Sequence, residues 1–324
     1  MSPSVGLPPA SACERSVAVN DLTPTRYALT LAYDGTDFHG WQHQEHPADE
    51  GQPPHVLRTV QAEVTDALRR LCREPDLTVT GASRTDTGVH AGGTHPSGRP
   101  GGQLASFTTR HDPATGVGWS PKREPEVLVR AVNAELPRDI LCLDAQAVPL
   151  AFHPIRAATN KQYTYRIVSS RTRPLWDRRY VFHTWHELDP APMRTAAARL
   201  VGEHDFAAFA KLNHGRESTV RTVFACDVAH TRRGVRGDNR TDELTITVSG
   251  SGFLYNMVRI IAGTLMEAGR GKLQPDDMPR LLASADRRQN PAPTLPPQGL
   301  RLDWIEWNAD AIEDRTQPTP ESEP

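Results

Sequence analysis

Hydrophobic and polar positions divide the chain into two successive sets of strands and helices. Tyr27–Ala32 is a short, mostly apolar run that reads as a strand. Leu57, Val60, Val64, Leu68 and Leu71 recur three or four apart, predicting an amphipathic helix over about 56–73. Leu77–Thr80 and Ala105–Thr109 read as strands on either side of a Gly/Pro-rich loop at 92–103. Glu126–Glu135 reads as a helix ended by Pro137, and Ile140–Val148 as a further strand. The order β-α-β-β-α-β is that of the ferredoxin-like split unit.

A second set repeats the theme. Gln162–Val168 and Tyr180–Trp185 read as strands. Asp189-Pro190 opens a helix through Leu200, with Asp able to cap free backbone N–H groups and Pro fitting the first helical position. Val220–Ala229 and Glu243–Ser249 predict strands, and the mostly apolar Gly252–Ala268 predicts a buried helix. A short helix over Asp276–Ala283 and a strand at Leu300–Trp307 complete the set. The expected division is an α+β half at 25–150 and another at 151–308. Residues 1–24, rich in Ser, Pro and Ala, read as a disordered arm, and 309–324 as an acidic disordered tail.

Composition narrows the class. In 324 residues, 37% apolar and 23% charged content suit a soluble globular protein. Cys13, Cys72, Cys142 and Cys226 lie far apart without a Cys-x-x-Cys pair, which argues against a zinc ribbon or a disulfide framework. A reduced, cytoplasmic protein is the simplest expectation, and no signal peptide is evident. The most apolar stretch, Phe253–Met266, is too short to cross a membrane and contains Arg259. Net charge is −2, but residues 153–180 carry seven basic side chains against Asp177, and the tail from Asp310 is acidic. Phosphate binding follows the local field, so the average does not exclude a nucleic-acid partner. Charge alone favours an ordinary solvated face over a phosphate-binding one.

Chemistry concentrates at Gly81-Ala-Ser-Arg-Thr-Asp-Thr-Gly-Val-His-Ala91, directly after a strand. Asp86-Thr87-Gly88 is compatible with a simple turn. It also matches the Asp-Thr-Gly of aspartic proteases, but these need two carboxylates sharing one proton. The chain has one such triplet, and Arg84 beside it would favour full ionisation instead. His39, His43, His46 and His55 form no regular metal-binding spacing and read as loop histidines.

Six ordered blocks carry a more specific likeness. They are Tyr33-Asp-Gly-Thr-Asp-Phe-His-Gly-Trp-Gln42, Ser83–Ala91, Val132-Asn-Ala-Glu-Leu-Pro137, Phe152-His153 with Lys161-Gln-Tyr-Thr-Tyr165, Glu203-His-Asp-Phe206, and Gly252-Phe-Leu-Tyr-Asn-Met-Val-Arg259. Together, over about 26–307, they resemble the TruA-type tRNA pseudouridine synthases.

The resemblance implies two ferredoxin-like halves forming a continuous, mainly antiparallel sheet with a central catalytic cleft. It implies isomerisation of uridine in the tRNA anticodon stem-loop, at uridines 38, 39 and 40, by a homodimer needing no cofactor and no metal. By the same resemblance Asp86 is the catalytic carboxylate, Arg259 its partner, Tyr163 an active-site ring able to stack on uracil, and Arg84 a helper in drawing the base from its stack. Pairing with Arg259 is expected to orient Asp86 and lower its pKa. His90 and His204 are expected to be structural or RNA-facing. A catalytically silent RNA-binding protein on the same fold is the alternative.

Ser83 and Thr87 stand where the family pattern has Gly and Ala. After Phe152-His153, Pro154-Ile155-Arg156 displaces the pattern's arginine by one position, so its role does not transfer to Arg156.

Overall fold

The computed structural model describes residues 24–46, 55–212, 218–233 and 241–309. The N-terminal arm up to residue 23, the acidic tail from Asp310 and the centre of the 43–55 loop (47–54) lie outside the described residues.

Eleven strands form one sheet. In chain order they are β1 (Pro24–Tyr33), β2 (Thr80–Gly81), β3 (His90–Ala91), β4 (Gln103–Arg110), β5 (Ile140–Val148) and β6 (Ala158–Ser170). They continue with β7 (Phe182–Thr184), β8 (Gly202–Asp205), β9 (Val220–Arg233), β10 (Thr241–Gly250) and β11 (Leu300–Trp307). The order across the sheet is β8-β9-β10-β6-β11-β3-β1-β4-β2, with β5 beside β1 and β7 beside β6. Only β6–β7 and β11–β3 pair in parallel. The fold is therefore α+β with a large, mostly antiparallel sheet, as expected.

The principal helices are α1 (Val60–Cys72), α2 (Pro125–Glu135), α3 (Pro190–Ala198), α4 (Met257–Gly269) and α5 (Asp277–Ser284). Thr59 caps α1 by accepting from Ala62 N, which sets its start four residues later than the apolar spacing suggested. Val60, Val64, Ala67, Leu68 and Cys72 line its buried face. Fully burying a Val or Leu side chain contributes about 1.5–3 kcal/mol, so Leu68→Ala would open this seam. Asp189 caps α3 through Ala191 N, with Pro190 first in the helix. In α4 every residue except Arg259 is buried, and Arg259 is its one cation.

Three local expectations change. Leu77–Thr80 contracts to Thr80–Gly81: Leu77 N bonds Glu74 O in a turn, and Arg69 Nε takes Leu77 O, so neither group is offered to a ladder. The 92–103 loop contains a hairpin, Gly93–Thr94 against Pro100–Gly101, with His95 set edge-on to Trp304. The predicted start of α4 at Gly252 moves to Met257, because Asn256 is left-handed (φ 62°) and cannot continue a right-handed helix.

The last strand closes the sheet. Arg301 and Leu302 of β11 pair with His90 and Ala91 of β3, immediately after the Asp86 segment. Strands from 24–148 and from 158–307 thus meet beside that aspartate.

Candidate active site

Asp86 sits in the loop between β2 and β3, and the loop's shape is fixed from behind. Trp41 N donates to Thr85 O (3.0 Å), Gly88 N to Phe38 O (3.3 Å), and Val89 N to Asp86 O (3.1 Å). The hydroxyls of Thr85 and Tyr33 lie 2.7 Å apart, both buried. Gln103, fully buried, grips Ser83 at both backbone ends: Ser83 N donates to Oε1 (3.1 Å), and Nε2 donates to Ser83 O (2.5 Å). The Tyr33–Gln42 block is therefore a cradle for the Asp86 loop. Gly40 (φ +90°) is where it comes closest: an added Cβ would lie 2.7 Å from Thr85 O. A Cβ on Gly81 would lie 2.3 Å from the buried Trp41 ring.

Arg259 arrives from the opposite side. Its Nη1 donates to Asp86 Oδ2 (3.2 Å) and to Asn256 Oδ1 (2.8 Å), while Nε donates to Leu295 O (2.7 Å). The charge expected to need a partner in an apolar helix has one. Both side chains are mostly buried, at 15% and 18% exposure. The expected direction of the Asp86 pKa is corrected. Burial pushes it above the ordinary carboxylate value, and the opposing pull of Arg259, with a smaller one from Lys211, does not offset this. Removing water from the carboxylate outweighs the cation beside it.

Tyr163 lies in β6, its ring edge-on to Phe253 at 5.2 Å and its hydroxyl 2.8 Å from Ser83 Oγ. Burial, reinforced by the Asp86 charge and opposed by the Ser83 bond, pushes its phenol up to about 12. Arg84 is exposed and makes no hydrogen bond or ion pair among the described residues, so its guanidinium faces solvent beside Asp86. Lys211, whose charge reaches Asp86, lies 5.0 Å from the half-exposed Tyr255 ring. The sequence reading missed Lys211, Gln103 and the Asn256 contact. Lys211 follows the Glu203–Phe206 block but belongs to no pattern, and Asn256 was visible only as a member of its block.

The two block histidines are held internally. Buried His90 accepts from Gly35 N at Nδ1 (3.0 Å) and lies 2.9 Å from Arg179 O through Nε2, which sets the Nε2–H tautomer. Burial lowers its pKa, so it is neutral near pH 7. His204 Nε2 bonds Val201 O. Within the basic stretch, Lys161 donates to Ala82 O (2.7 Å) and Arg166 pairs with Glu243 (2.6 Å), whereas Arg156, Arg171, Arg173 and Arg178 are exposed.

A cavity of about 290 Å³ lies among Tyr33, Asp34, His90, Thr164, Arg166 and Arg301. Thr164 and Arg166, which alternate with Tyr163 and Tyr165 along β6, line this cavity, and Asp86 does not. No helix among the described residues is long and apolar enough to cross a membrane. Nor do three His, Cys, Asp or Glu side chains gather among them as a metal site requires, the side chains of His46 and His55 falling outside.

The arrangement brings a buried, ion-paired carboxylate onto the same loop as the serine that meets a buried tyrosine hydroxyl. Comparison with known proteins gives the same direction. A family model described as tRNA pseudouridine synthase matches residues 196–307. The tRNA pseudouridine synthase A of Listeria innocua is 35% identical over 286 residues, covering 88% of this chain and 99% of that protein. The enzyme of that name from Halalkalibacterium halodurans is 38% identical, covering 85% and 90%. The one from Ruminiclostridium cellulolyticum is 39% identical, covering 85% and 96%.

Proposed function

The chain belongs to the tRNA pseudouridine synthase A family, and from that premise we propose that it isomerises uridines 38, 39 and 40 of the tRNA anticodon stem-loop, with Asp86 as the catalytic carboxylate. The observation that carries this reading is the Asp86–Arg259 pair, formed across 173 residues, with β3, the strand that follows Asp86, paired to β11. Isomerisation breaks the bond from uracil N1 to ribose C1′, turns the base, and forms a bond from C5 to C1′. No net oxidation occurs, so Asp86 needs only to be ionised and aimed. Arg259 opposes protonation of Asp86 and fixes which oxygen faces the cleft. Attack on ribose C1′ and attack on the uracil ring both begin from this ionised carboxylate.

Tyr163 is the ring on which uracil stacks, and its hydroxyl serves the proton leaving C5. Arg84, solvent-facing beside Asp86, helps draw the target base from its stack. Exposed arginines of 153–180 contact phosphate, giving a salt-dependent affinity. The working form is a cytoplasmic homodimer, with no cofactor and no metal.

Tritium release from tRNA labelled at uracil C5 tests the reading, with wild type and Asp86→Asn side by side and no metal or nucleotide added. Wild type should release tritium, and the variant should bind the RNA but release none. Tight RNA binding by wild type without release from several undermodified tRNAs would instead favour a silent RNA-binding protein.

A further inference from the structure

Ser83 and Tyr163 are 80 residues apart in sequence, yet their hydroxyl oxygens lie 2.8 Å apart. Both ends of this contact are fixed. Gln103 holds the Ser83 backbone by its N–H and its carbonyl, leaving the side chain only its own rotation. Tyr163 is 6% exposed and braced by Phe253. Asp86 lies three positions beyond Ser83 on the same loop, and its charge is felt at the Tyr163 phenol. The motif that the loop resembles has glycine at position 83, so the backbone does not need this hydroxyl. It is an addition, aimed at an aromatic hydroxyl that feels the Asp86 charge.

We propose that Ser83 is a positioning residue for Tyr163, holding the phenol oxygen in line for proton removal at uracil C5 and taking up the phenol's own proton as that step occurs. This rests on the synthase reading of the site. After the base has rejoined ribose through C5, one proton must leave C5 and one must reach N1. The C5 proton passes to the Tyr163 oxygen, the phenol proton to Ser83 Oγ, and the Ser83 proton to cleft water. The C5–H electron pair becomes the C5–C6 double bond. The former C6–N1 double-bond pair takes a proton from water at N1, so the product is neutral and nothing is oxidised. A neutral phenol can accept a proton only if it can pass one on, and Ser83 supplies that exit within hydrogen-bond distance.

The experiment compares wild type with Ser83→Ala, Ser83→Gly and Ser83→Thr on tRNA carrying hydrogen or deuterium at uracil C5. Losing one neutral hydrogen bond should lower kcat of the Ala and Gly variants about 2–10-fold at unchanged KM. Their C5 deuterium effect on kcat should rise above that of wild type, and Ser83→Thr, which keeps a hydroxyl, should restore both. Ser83→Gly restores the motif's own residue, so it reports on chemistry rather than folding. Wild-type kcat and isotope effect in both Ala and Gly variants would overturn the proposal, as would a slowed kcat with an unchanged isotope effect. Absence of C5 release from wild type would instead overturn the synthase reading, and this role with it.

Discussion

Asp86 and Arg259 are held in place by different means. Asp86 rides on a loop gripped through its backbone by Trp41, Phe38 and Gln103, with Gly40 allowing the close approach. Arg259 projects from a buried helix and is steered by side-chain and carbonyl acceptors, Asn256 Oδ1 and Leu295 O. The loop is defined by shape and the helix side by charge. Much of the longest motif, Tyr33–Gln42, braces the loop that carries Asp86. Substitutions on the loop side should act through stability and geometry, whereas those on the helix side should act through protonation and charge.

Arg259→Gln should have the largest effect, because it removes the charge-assisted donor at Asp86. A loss of about 10²-fold in kcat is expected. The acid limb of the pH–rate profile should move to higher pH. Burial already raises the Asp86 pKa, and removing the cation raises it further. Activity that needs the ionised form is then lost sooner as pH falls. An acid limb that stays in place would separate Arg259 from the ionisation of Asp86.

Gly40→Ala should sharpen the contrast from the loop side. Its positive φ and the close Thr85 carbonyl make an added methyl both strained and crowded, destabilising by about 1–3 kcal/mol. Thermal melting should fall by several degrees and kcat should drop, with the acid limb unmoved. A shifted limb at an unchanged melting temperature would blur the division between shape and charge.

Lys211→Ala should have the smallest effect. Its exposed ammonium senses Asp86 only at a distance and sits on the Tyr255 ring. Exposed charges contribute little, so a rise in KM of about 2–5-fold without loss of stability is expected. A hundredfold loss in kcat would move Lys211 into the reacting centre.

How much of this was legible in the sequence varies by residue. Asp86 was marked by its motif, and Arg259 by being a lone cation in an apolar run. The direction of the Asp86 pKa was misread, because a partner is visible in a sequence whereas loss of water is not. Gln103 and Asn256 look like ordinary polar residues until the chain folds. Leu77–Thr80 had strand-like apolar character, but a turn carbonyl and the Arg69 side chain claimed its backbone.

By itself, the sequence determined the order of the longer strands and helices, since the spacing that buries one face of an element is written locally, whereas the short β3 and β8 carried no such pattern. It also determined which residue types could carry the chemistry. Only the tertiary structure decided that β11 would dock beside β3, that Ser83 would meet Tyr163, and that burial would outweigh Arg259 at Asp86. Those outcomes depend on distances between residues far apart in the chain and on how completely water is removed from them, and neither is encoded in any local pattern.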